Sequence, residues 1–250
     1  MFLHGSTGAG RAPEETARFP AAALEELPDG SCTMKRTLLL ATIAAFAVAT
    51  TAATTGLAQV PAGKPDLAKA QTIVNQVCSA CHGTDGNSPT PVNPSLAAQP
   101  AEYISLQLSH FKSGLRANPV MQGMAAGLSP EDMKALGVYF SQQKPKNLAA
   151  KDATLVTTGQ SLYRGGDLAT GIPACAACHS PTGAGIPKNY PRLAGQHADY
   201  TLTQLKAFKA GERGADKDGK DVNGRVMAAV TAKLSDAQMK ALAEYAQGLR

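Results

Sequence analysis

Residues 78–82 read CSACH and residues 175–179 read CAACH. The two copies of Cys-x-x-Cys-His begin 97 positions apart and contain four of the five cysteines of this 250-residue chain. Redox-active disulfides and zinc sites also use Cys-x-x-Cys, but neither demands a histidine in the next position twice. Cys-x-x-Cys-His is the attachment signature of c-type haem, in which two thiols form thioethers with one porphyrin edge and the adjacent imidazole lies under the iron. The predicted attachment residues of two covalently bound haem c groups are Cys78, Cys81, Cys175 and Cys178.

The repeat extends well beyond the two motifs. At the same offset of 97, residues 94–99 (PSLAAQ) match residues 191–196 (PRLAGQ). After residue 116 the offset becomes 106, because nine additional residues lie in the second half. They fall in the polar stretch GADKDGKDVNG at residues 214–224, which predicts a surface loop. The chain is thus a tandem duplication, with a first domain over residues 59–146, a linker over residues 147–151 and a second domain over residues 152–250.

Each half carries the same helix signals. Apolar residues at helical spacing follow Pro100 in the first half and His197 in the second, and a glycine ends each of these segments. Ser129 and Ser235 each begin a later amphipathic helix with the character of a capping box. A further helix around residues 67–77 leads into the first motif. These signals predict a chain of short helices with long connections.

The fold class is predicted to be all-α, because no convincing alternating strand pattern is present. The chain contains no Trp and only 5% aromatic residues, so aliphatic side chains alone would make a thin core. A large apolar cofactor in each half would supply the missing volume. The sequence therefore predicts two small helical domains in tandem, each wrapped around one haem.

The first 58 residues are expected to be absent from the mature protein. MKR at residues 34–36 precedes an apolar stretch at residues 38–48 and small residues near Ala58, which is the pattern of a secretory signal peptide. Met34 is the predicted true start. An uncleaved membrane anchor is the competing interpretation, but the apolar core of 11–13 residues is shorter than the roughly 20 needed to span a bilayer. Export agrees with c-type haem, which is attached outside the cytoplasm.

The charge of the chain is mildly basic. Without residues 1–58 it contains 20 Lys and Arg against 14 Asp and Glu, a formal charge of +6. These charges are not clustered in runs, so no nucleic-acid partner is expected. Residues 151–250 carry 13 basic and 9 acidic side chains, a larger excess than the 7 and 5 of residues 59–150. An acidic partner would therefore dock more readily on the second half.

The motif histidines, His82 and His179, are the expected fifth ligands of the two irons. A thioether sulfur as the sixth ligand would close an iron to substrates and raise its reduction potential. The first half offers both Met121 and Met124. Met121 and Met227 each stand eight residues before the serine that starts the next helix, whereas Met124 has no methionine at its counterpart. Met121 and Met227 are therefore the predicted sixth ligands, with Met124 as the alternative in the first half.

Pro94 and Pro191 each lie 12 residues after their motif histidine. A metal-bound histidine needs its other ring N–H fixed by an acceptor, often a backbone carbonyl. We expect the carbonyls of these two prolines to accept that bond; otherwise they are merely turn prolines. His110 and His197 have no histidine at their counterparts, so a surface or helix-packing role is expected for them rather than iron ligation.

Together these features resemble the cytochrome c4 family, which are dihaem c-type cytochromes of bacteria. The resemblance rests on the two motifs, the Pro-x-Leu-Ala-x-Gln segments, the downstream methionines and the Leu-Ser helix starts, and it covers about residues 65–250. It implies two class I cytochrome c folds in tandem with His–Met ligation, in the periplasm and often loosely attached to the inner membrane. One departure is that residues 85–87 (DGN) become residues 182–184 (TGA), which puts identical haem environments in doubt.

The resemblance also implies a function. Family members carry electrons toward a terminal oxidase, with a cytochrome bc complex or a dehydrogenase as the source. A dihaem peroxidase or a thiosulfate-oxidising enzyme needs an open axial position or a cysteine ligand, and no cysteine outside the two motifs lies in residues 59–250. An electron carrier, not an enzyme, is therefore favoured. The remaining alternative is an electron-accepting subunit bound to a dehydrogenase.

Overall fold

The computed structural model describes residues 63–216 and 218–250. The predicted leader and signal peptide, residues 1–58 with the start at Met34, lie outside these described residues. Within them the regular structure is helical, and the β-structure consists of two isolated bridges, Asp167–Ile172 and Ile186–Tyr190. The prediction of an all-α fold is confirmed. No helix in the described part of the chain has both the length and the apolar character that a membrane span requires.

The first half begins with one continuous helical segment that carries the first motif. The α-helices of the first half are α1 (Leu67–Ile73), α2 (Ser79–His82), α3 (Ala101–Ser113), α4 (Pro119–Ala126) and α5 (Pro130–Ser141). A π-helical segment over Val74–Cys78 joins α1 to α2. Helices α1 and α3 both pack on α5, and α4 packs on α3. The buried core of this half is therefore formed around α5, by Ala70, Val74, Ile104, Ala135, Leu136 and Phe140.

The second half repeats this arrangement with one change before its motif. Its α-helices are α6 (Ala153–Gly165), α7 (Ala176–His179), α8 (Ala198–Lys209), α9 (Val222–Thr231) and α10 (Asp236–Gly248). Helix α10 packs on α6 and α8, and α9 packs on α8. Between α6 and α7 the chain makes a turn closed by two backbone hydrogen bonds of 2.8 Å between Asp167 and Ile172. The second motif therefore starts a helix of its own rather than continuing the preceding one.

Both predicted capping boxes are present. The hydroxyl of Ser129 accepts from the N–H of Asp132, whose carboxylate in turn accepts from the N–H of Ser129, both at 3.1 Å. Ser235 and Gln238 make the same exchange at the start of α10. Gly114 ends α3 in the left-handed region at a φ of 76°, as its sequence position predicts. Local signals therefore define these helix boundaries correctly.

The prediction of a surface loop over residues 214–224 is wrong at its end. Helix α9 already starts at Val222, and the carboxylate of Asp221 caps it by accepting from the N–H of Gly224 at 2.9 Å. Asp221 is only 9% exposed, and Gly224 is buried against Gly214. Polar composition alone does not distinguish a solvated loop from a buried helix cap, because a cap also requires a polar side chain.

The segment that leads into the linker, residues 144–146, is held by one side chain of the first half. The amide of Asn87 accepts from the N–H of Lys146 at 2.7 Å and donates to the carbonyl of Lys144 at 3.0 Å. Asn87 is buried, and Ala184 stands at its counterpart in the second half. The difference between DGN at residues 85–87 and TGA at residues 182–184 thus has a structural reason. Only the first half is followed by a segment that leads to another domain, and Asn87 binds that segment.

The halves contact each other through equivalent residues. The side chain of Gln99 accepts from the N–H of Arg192 at 3.0 Å and donates to its carbonyl at 2.7 Å. Gln196 makes the same pair of bonds to Ser95, both at 2.9 Å. Gln99 and Gln196 are equivalent in the repeat, as are Ser95 and Arg192. The contact is therefore reciprocal, as two repeats facing each other across an approximate two-fold axis require.

A second reciprocal contact joins the ends of α3 and α8. A buried guanidinium from each half donates to a tyrosine hydroxyl and a glutamine carbonyl oxygen of the other half. The donors and acceptors are Arg116 with Tyr200 and Gln204, and Arg213 with Tyr103 and Gln107. The two halves therefore pack as one body through hydrogen bonds that the repeat supplies twice.

Candidate functional site

The imidazole of His82 is oriented by the backbone of the segment that follows it. His82 ends α2, is 8% exposed, and its Nδ1 lies 2.8 Å from the carbonyl oxygen of Pro94. At this distance Nδ1–H donates to the carbonyl, which leaves the lone pair of Nε2 free for a metal. Gly83 turns the chain directly after the histidine at a φ of 74°, and a Cβ there would lie 2.6 Å from the carbonyl oxygen of Asn87. A larger residue at this position would have to displace the backbone of Asn87.

His179 has the same geometry in the second half. It is 5% exposed, and its Nδ1 lies 2.9 Å from the carbonyl oxygen of Pro191. The turn after it is made by Ser180, at a φ of 69° and a ψ of 155°, a region that is strained for any residue except glycine. The hydroxyl of Tyr163 donates to the carbonyl of Ser180 at 2.7 Å. That bond from a buried side chain holds the strained turn in place.

Both imidazoles are kept in the form that binds metals. Burial lowers the pKa of His82 and of His179, and it outweighs the opposite effect of the hydrogen bonds to Pro94 and Pro191. A lowered pKa keeps each ring neutral, and neutral imidazole is the ligand form. Each half therefore presents one buried, neutral and oriented imidazole.

The motif cysteines lie on the helical segments that end in these histidines. The first cysteine of each motif packs against the core of its own half, and all four are free thiols. Burial raises the pKa of Cys78 and of Cys175 to about 11, so both thiols are neutral. Two unpaired thiols three positions apart beside an oriented imidazole are the donor set that a haem c group needs. The residues of both halves therefore fit this cofactor.

The predicted sixth ligands occupy corresponding places in the two halves. Met121 lies in the first turn of α4, where Asn118 caps the helix, and Met227 lies in α9, which Asp221 caps. Both methionines are half-buried, whereas Met124 is 48% exposed. Helices α4 and α9 each follow the helix that packs on the core of their half. The assignment of Met121 and Met227 to the irons stays a prediction.

The two spare histidines are not at the surface. His110 and His197 are 5% and 8% exposed. His197 Nε2 lies 3.0 Å from the carbonyl oxygen of Ser88 in the first half, and His110 Nδ1 lies 4.0 Å from a carboxylate oxygen of Asp221 in the second. The expected surface role is therefore wrong for both residues. Both histidines pack inside the protein, at the contact between the two halves.

Sequence reasoning gave no role to the residues that join the halves. Gln99, Gln196, Arg116 and Arg213 matched at the offset of 97, but a match between repeats also occurs for purely structural positions. The sequence did not show that these four polar side chains are buried. The signal that could have found them was the recurrence of an arginine and a glutamine where helical domains normally expose such side chains.

Each half matches a family of haem-binding cytochromes. Residues 156–250 match the family model described as Cytochrome c, and residues 65–140 match the one described as Cytochrome C oxidase, cbb3-type, subunit III. Each matched range contains one of the two motifs. Two cytochrome c domains therefore follow one another along this chain.

The chain also resembles individual proteins over most of the described residues. The chain is 43% identical over 174 residues to cytochrome c4 of Pseudomonas aeruginosa, across 69% of this chain and 84% of that protein. It is 40% identical over 171 residues to the thiosulfate dehydrogenase electron acceptor of Thiomonas intermedia, across 67% of this chain and 76% of that protein. The crystal structure of reduced recombinant cytochrome c4 from Pseudomonas stutzeri superimposes with a TM-score of 0.68 at 40% identity, across 75% of this chain and 100% of that one.

Proposed function

Because this chain belongs to the cytochrome c4 family of dihaem electron carriers, we propose that it shuttles single electrons between a respiratory donor and a terminal oxidase or reductase in the periplasm. The protein carries two haem c groups and is an electron-transfer protein rather than an enzyme. The donor we propose is a cytochrome bc complex or a dehydrogenase. The observation that carries the proposal is the repetition in both halves of two free thiols beside a buried imidazole bonded to a proline carbonyl.

The residues of each half have separate tasks in this function. When bound, each haem iron supplies a one-electron couple between its ferric and ferrous states. The motif cysteines would hold the groups through thioethers, and the motif histidines would supply an imidazole nitrogen to each iron. The prolines fix the imidazole rings, and the two methionines would supply sulfur ligands that keep substrates from the metal. These residues are Cys78, Cys81, His82, Pro94, Met121, Cys175, Cys178, His179, Pro191 and Met227.

The arrangement of the two halves supports transfer between them. We assign the first domain to residues 59–146, the linker to residues 147–151 and the second domain to residues 152–250. The reciprocal contacts of Gln99 and Gln196 keep the halves together. Electron exchange between them is then intramolecular, which removes one diffusional encounter.

The periplasmic location is proposed from the signal peptide pattern at residues 34–58 and from the attachment chemistry, which takes place outside the cytoplasm. Loose association with the inner membrane would bring the carrier close to membrane-bound redox partners. The partners we propose are redox proteins, and no nucleic acid is among them, because the positive charge is not clustered.

The test is a haem count on the purified exported protein. A pyridine haemochrome assay and a haem stain on a denaturing gel should give two covalently held groups per chain. The ferrous protein should not change its spectrum with carbon monoxide, because both axial positions are filled. Fewer than two groups, or a native centre that takes up carbon monoxide, would contradict an electron carrier of this kind.

A second candidate is an electron acceptor dedicated to one dehydrogenase. The observation that favours it is the 40% identity to the thiosulfate dehydrogenase electron acceptor of Thiomonas intermedia. Stopped-flow reduction of the oxidised protein by a purified dehydrogenase and by a cytochrome bc complex distinguishes the two. Much faster reduction by the dehydrogenase, together with its stoichiometric co-purification, supports the dedicated acceptor; faster reduction by the bc complex supports the general carrier.

A further inference from the structure

The additional residues of the second half end at a buried contact with the first half. His110 lies on α3 and is 5% exposed. Its Nδ1 is buried and has no hydrogen-bond partner among the residues that the structure describes. This atom lies 4.0 Å from Oδ2 of Asp221, which stands just before α9. An unpaired imidazole nitrogen of one half thus faces a carboxylate of the other.

Asp221 connects this imidazole to the helix that carries Met227. Its Oδ1 accepts from the N–H of Gly224 in the first turn of α9 at 2.9 Å. Its own N–H donates to Asp216 at 2.8 Å. One carboxylate therefore contacts the first half through Oδ2 and begins the predicted ligand helix of the second half through Oδ1.

The charged groups around His110 come from both halves. Burial is the largest effect and lowers the pKa of His110, and the positive charges of Arg213 and Arg116 lower it further. Asp221 and Asp216 act in the opposite direction. The net pKa lies below the usual value of histidine, so His110 is neutral at pH 7 and takes up a proton only in more acidic solution.

The contact has no counterpart in the other direction. Ala207 stands at the position in the second half that corresponds to His110. Helix α4, which carries Met121, begins at the neutral side chain of Asn118 rather than at a carboxylate. The proton-binding contact therefore reaches only the ligand helix of the second half.

We propose that His110 is a positioning residue for α9, acting through Asp221, so that protonation of His110 in the first half raises the reduction potential of the second half. The proposal rests on the proposed function, because it takes Met227 as the ligand carried by α9. A proton on His110 adds positive charge beside the helix cap, and positive charge favours the ferrous state over the more positive ferric state.

The sign of the pH dependence follows from the lowered pKa. The folded protein holds the proton on His110 less well than the unfolded chain does, so the docked contact is most stable above the ordinary pKa of histidine. That stability is lost as the pH falls toward and through the lower folded value. The potential of the second half should rise over the same interval, while that of the first half stays constant.

The experiment is a redox titration of the holoprotein at several values between about pH 5 and pH 8. In the unmodified protein we expect the equilibrium for electron exchange to move toward the second half by about threefold from neutral to acidic solution, which is about 28 mV at about 59 mV per tenfold for one electron. His110→Ala, which copies Ala207, should abolish this step. His110→Gln, which keeps a polar side chain but does not titrate in this range, should abolish it as well.

Two controls keep the outcome interpretable. Asp221→Asn keeps an amide cap on α9 but removes the charge, and it should raise the potential of the second half already at neutral pH. His197→Gln changes the other buried histidine between the halves and should leave the pH step intact. A step that persists in both His110 variants overturns the inference. The ferric thioether-to-iron absorption band tests the assignment of Met227 separately. If the second half of the unmodified protein lacks this band, the ligand assignment is contradicted rather than the role of His110.

Discussion

The guanidinium of Arg116 donates a hydrogen bond of 2.9 Å to the hydroxyl of Tyr200, which lies in the other half of the chain. Arg213 makes the equivalent bond to Tyr103 at 3.0 Å. Both arginines are about nine-tenths buried. A hydrogen bond from a charged donor inside a protein contributes about 1.5–3 kcal/mol to stability. These two bonds are therefore a principal reason why the repeats pack face to face.

The first prediction tests this contact with a double-mutant cycle. Arg116→Ala and Arg213→Ala should each lower the free energy of unfolding by about 2–4 kcal/mol, because each removes the charged donor to a tyrosine hydroxyl of the other half. The double variant should lose more than the sum, because the oxygens of Gln107 and Gln204 keep one guanidinium donor in each single variant and lose both donors only in the double variant. Urea unfolding measures all three values, and strict additivity would show that the shared acceptors are not coupled.

The second prediction concerns the sixth ligand of the first half. Met121→Ala should lower the potential of that half and open its iron to carbon monoxide, because the thioether that stabilises the ferrous state is gone. The ferric thioether-to-iron absorption band should fall to half its intensity, the remainder coming from the second half. The matched control is Met124→Ala, which removes a methionine three residues away that is 48% exposed. Full intensity in Met121→Ala with loss in Met124→Ala would reverse the assignment.

The third prediction concerns the independence of the two attachment sites. Cys78→Ala should weaken or abolish haem retention in the first half and leave the second half loaded, because Cys78 and Cys175 each pack against the core of their own half. Cys175→Ala should do the reverse. A haemochrome count falling from two toward one per chain, with one set of spectral bands retained, is the expected readout. Loss of both groups from a single substitution would show that the halves load together.

The fourth prediction concerns residues 144–146, the segment that leads into the linker. Asn87→Ala removes both side-chain bonds to Lys144 and Lys146, so trypsin should cleave this segment faster than in the unmodified protein. Asn93→Ala is the matched control, because the amide of Asn93 bonds the hydroxyl of Thr90 at the surface. Equal cleavage rates in both variants would mean that contacts other than those of Asn87 hold this segment.

The parts of the fold that could be predicted depend on residues close together in sequence. The caps of Ser129 and Ser235 require a partner three residues away, and the end of α3 requires only a glycine, Gly114, in the left-handed region. The bonds of His82 and His179 to proline carbonyls span 12 residues within one half. Each of these patterns is complete within a single repeat.

The parts that could not be predicted depend on the other half. Asp221 was expected to lie in a loop because the stretch around it, residues 214–224, is polar. Its burial follows from packing near His110, which is remote in sequence. The same is true of His197, whose partner Ser88 lies 109 positions away. The periodicity and spacing of residues within one repeat do not indicate which surface of that repeat contacts the other repeat.

The sequence by itself determined what each half binds and how each half folds, because haem attachment, helix capping and tight turns are governed by covalent spacing and local backbone geometry. Only the tertiary structure decided how the copies differ. It placed Asn87 against residues 144–146, Tyr163 against the strained turn at Ser180 and Asp221 beside His110. The physical reason is that a buried polar group needs a partner, and in a folded chain that partner is supplied by whichever surface packs against it.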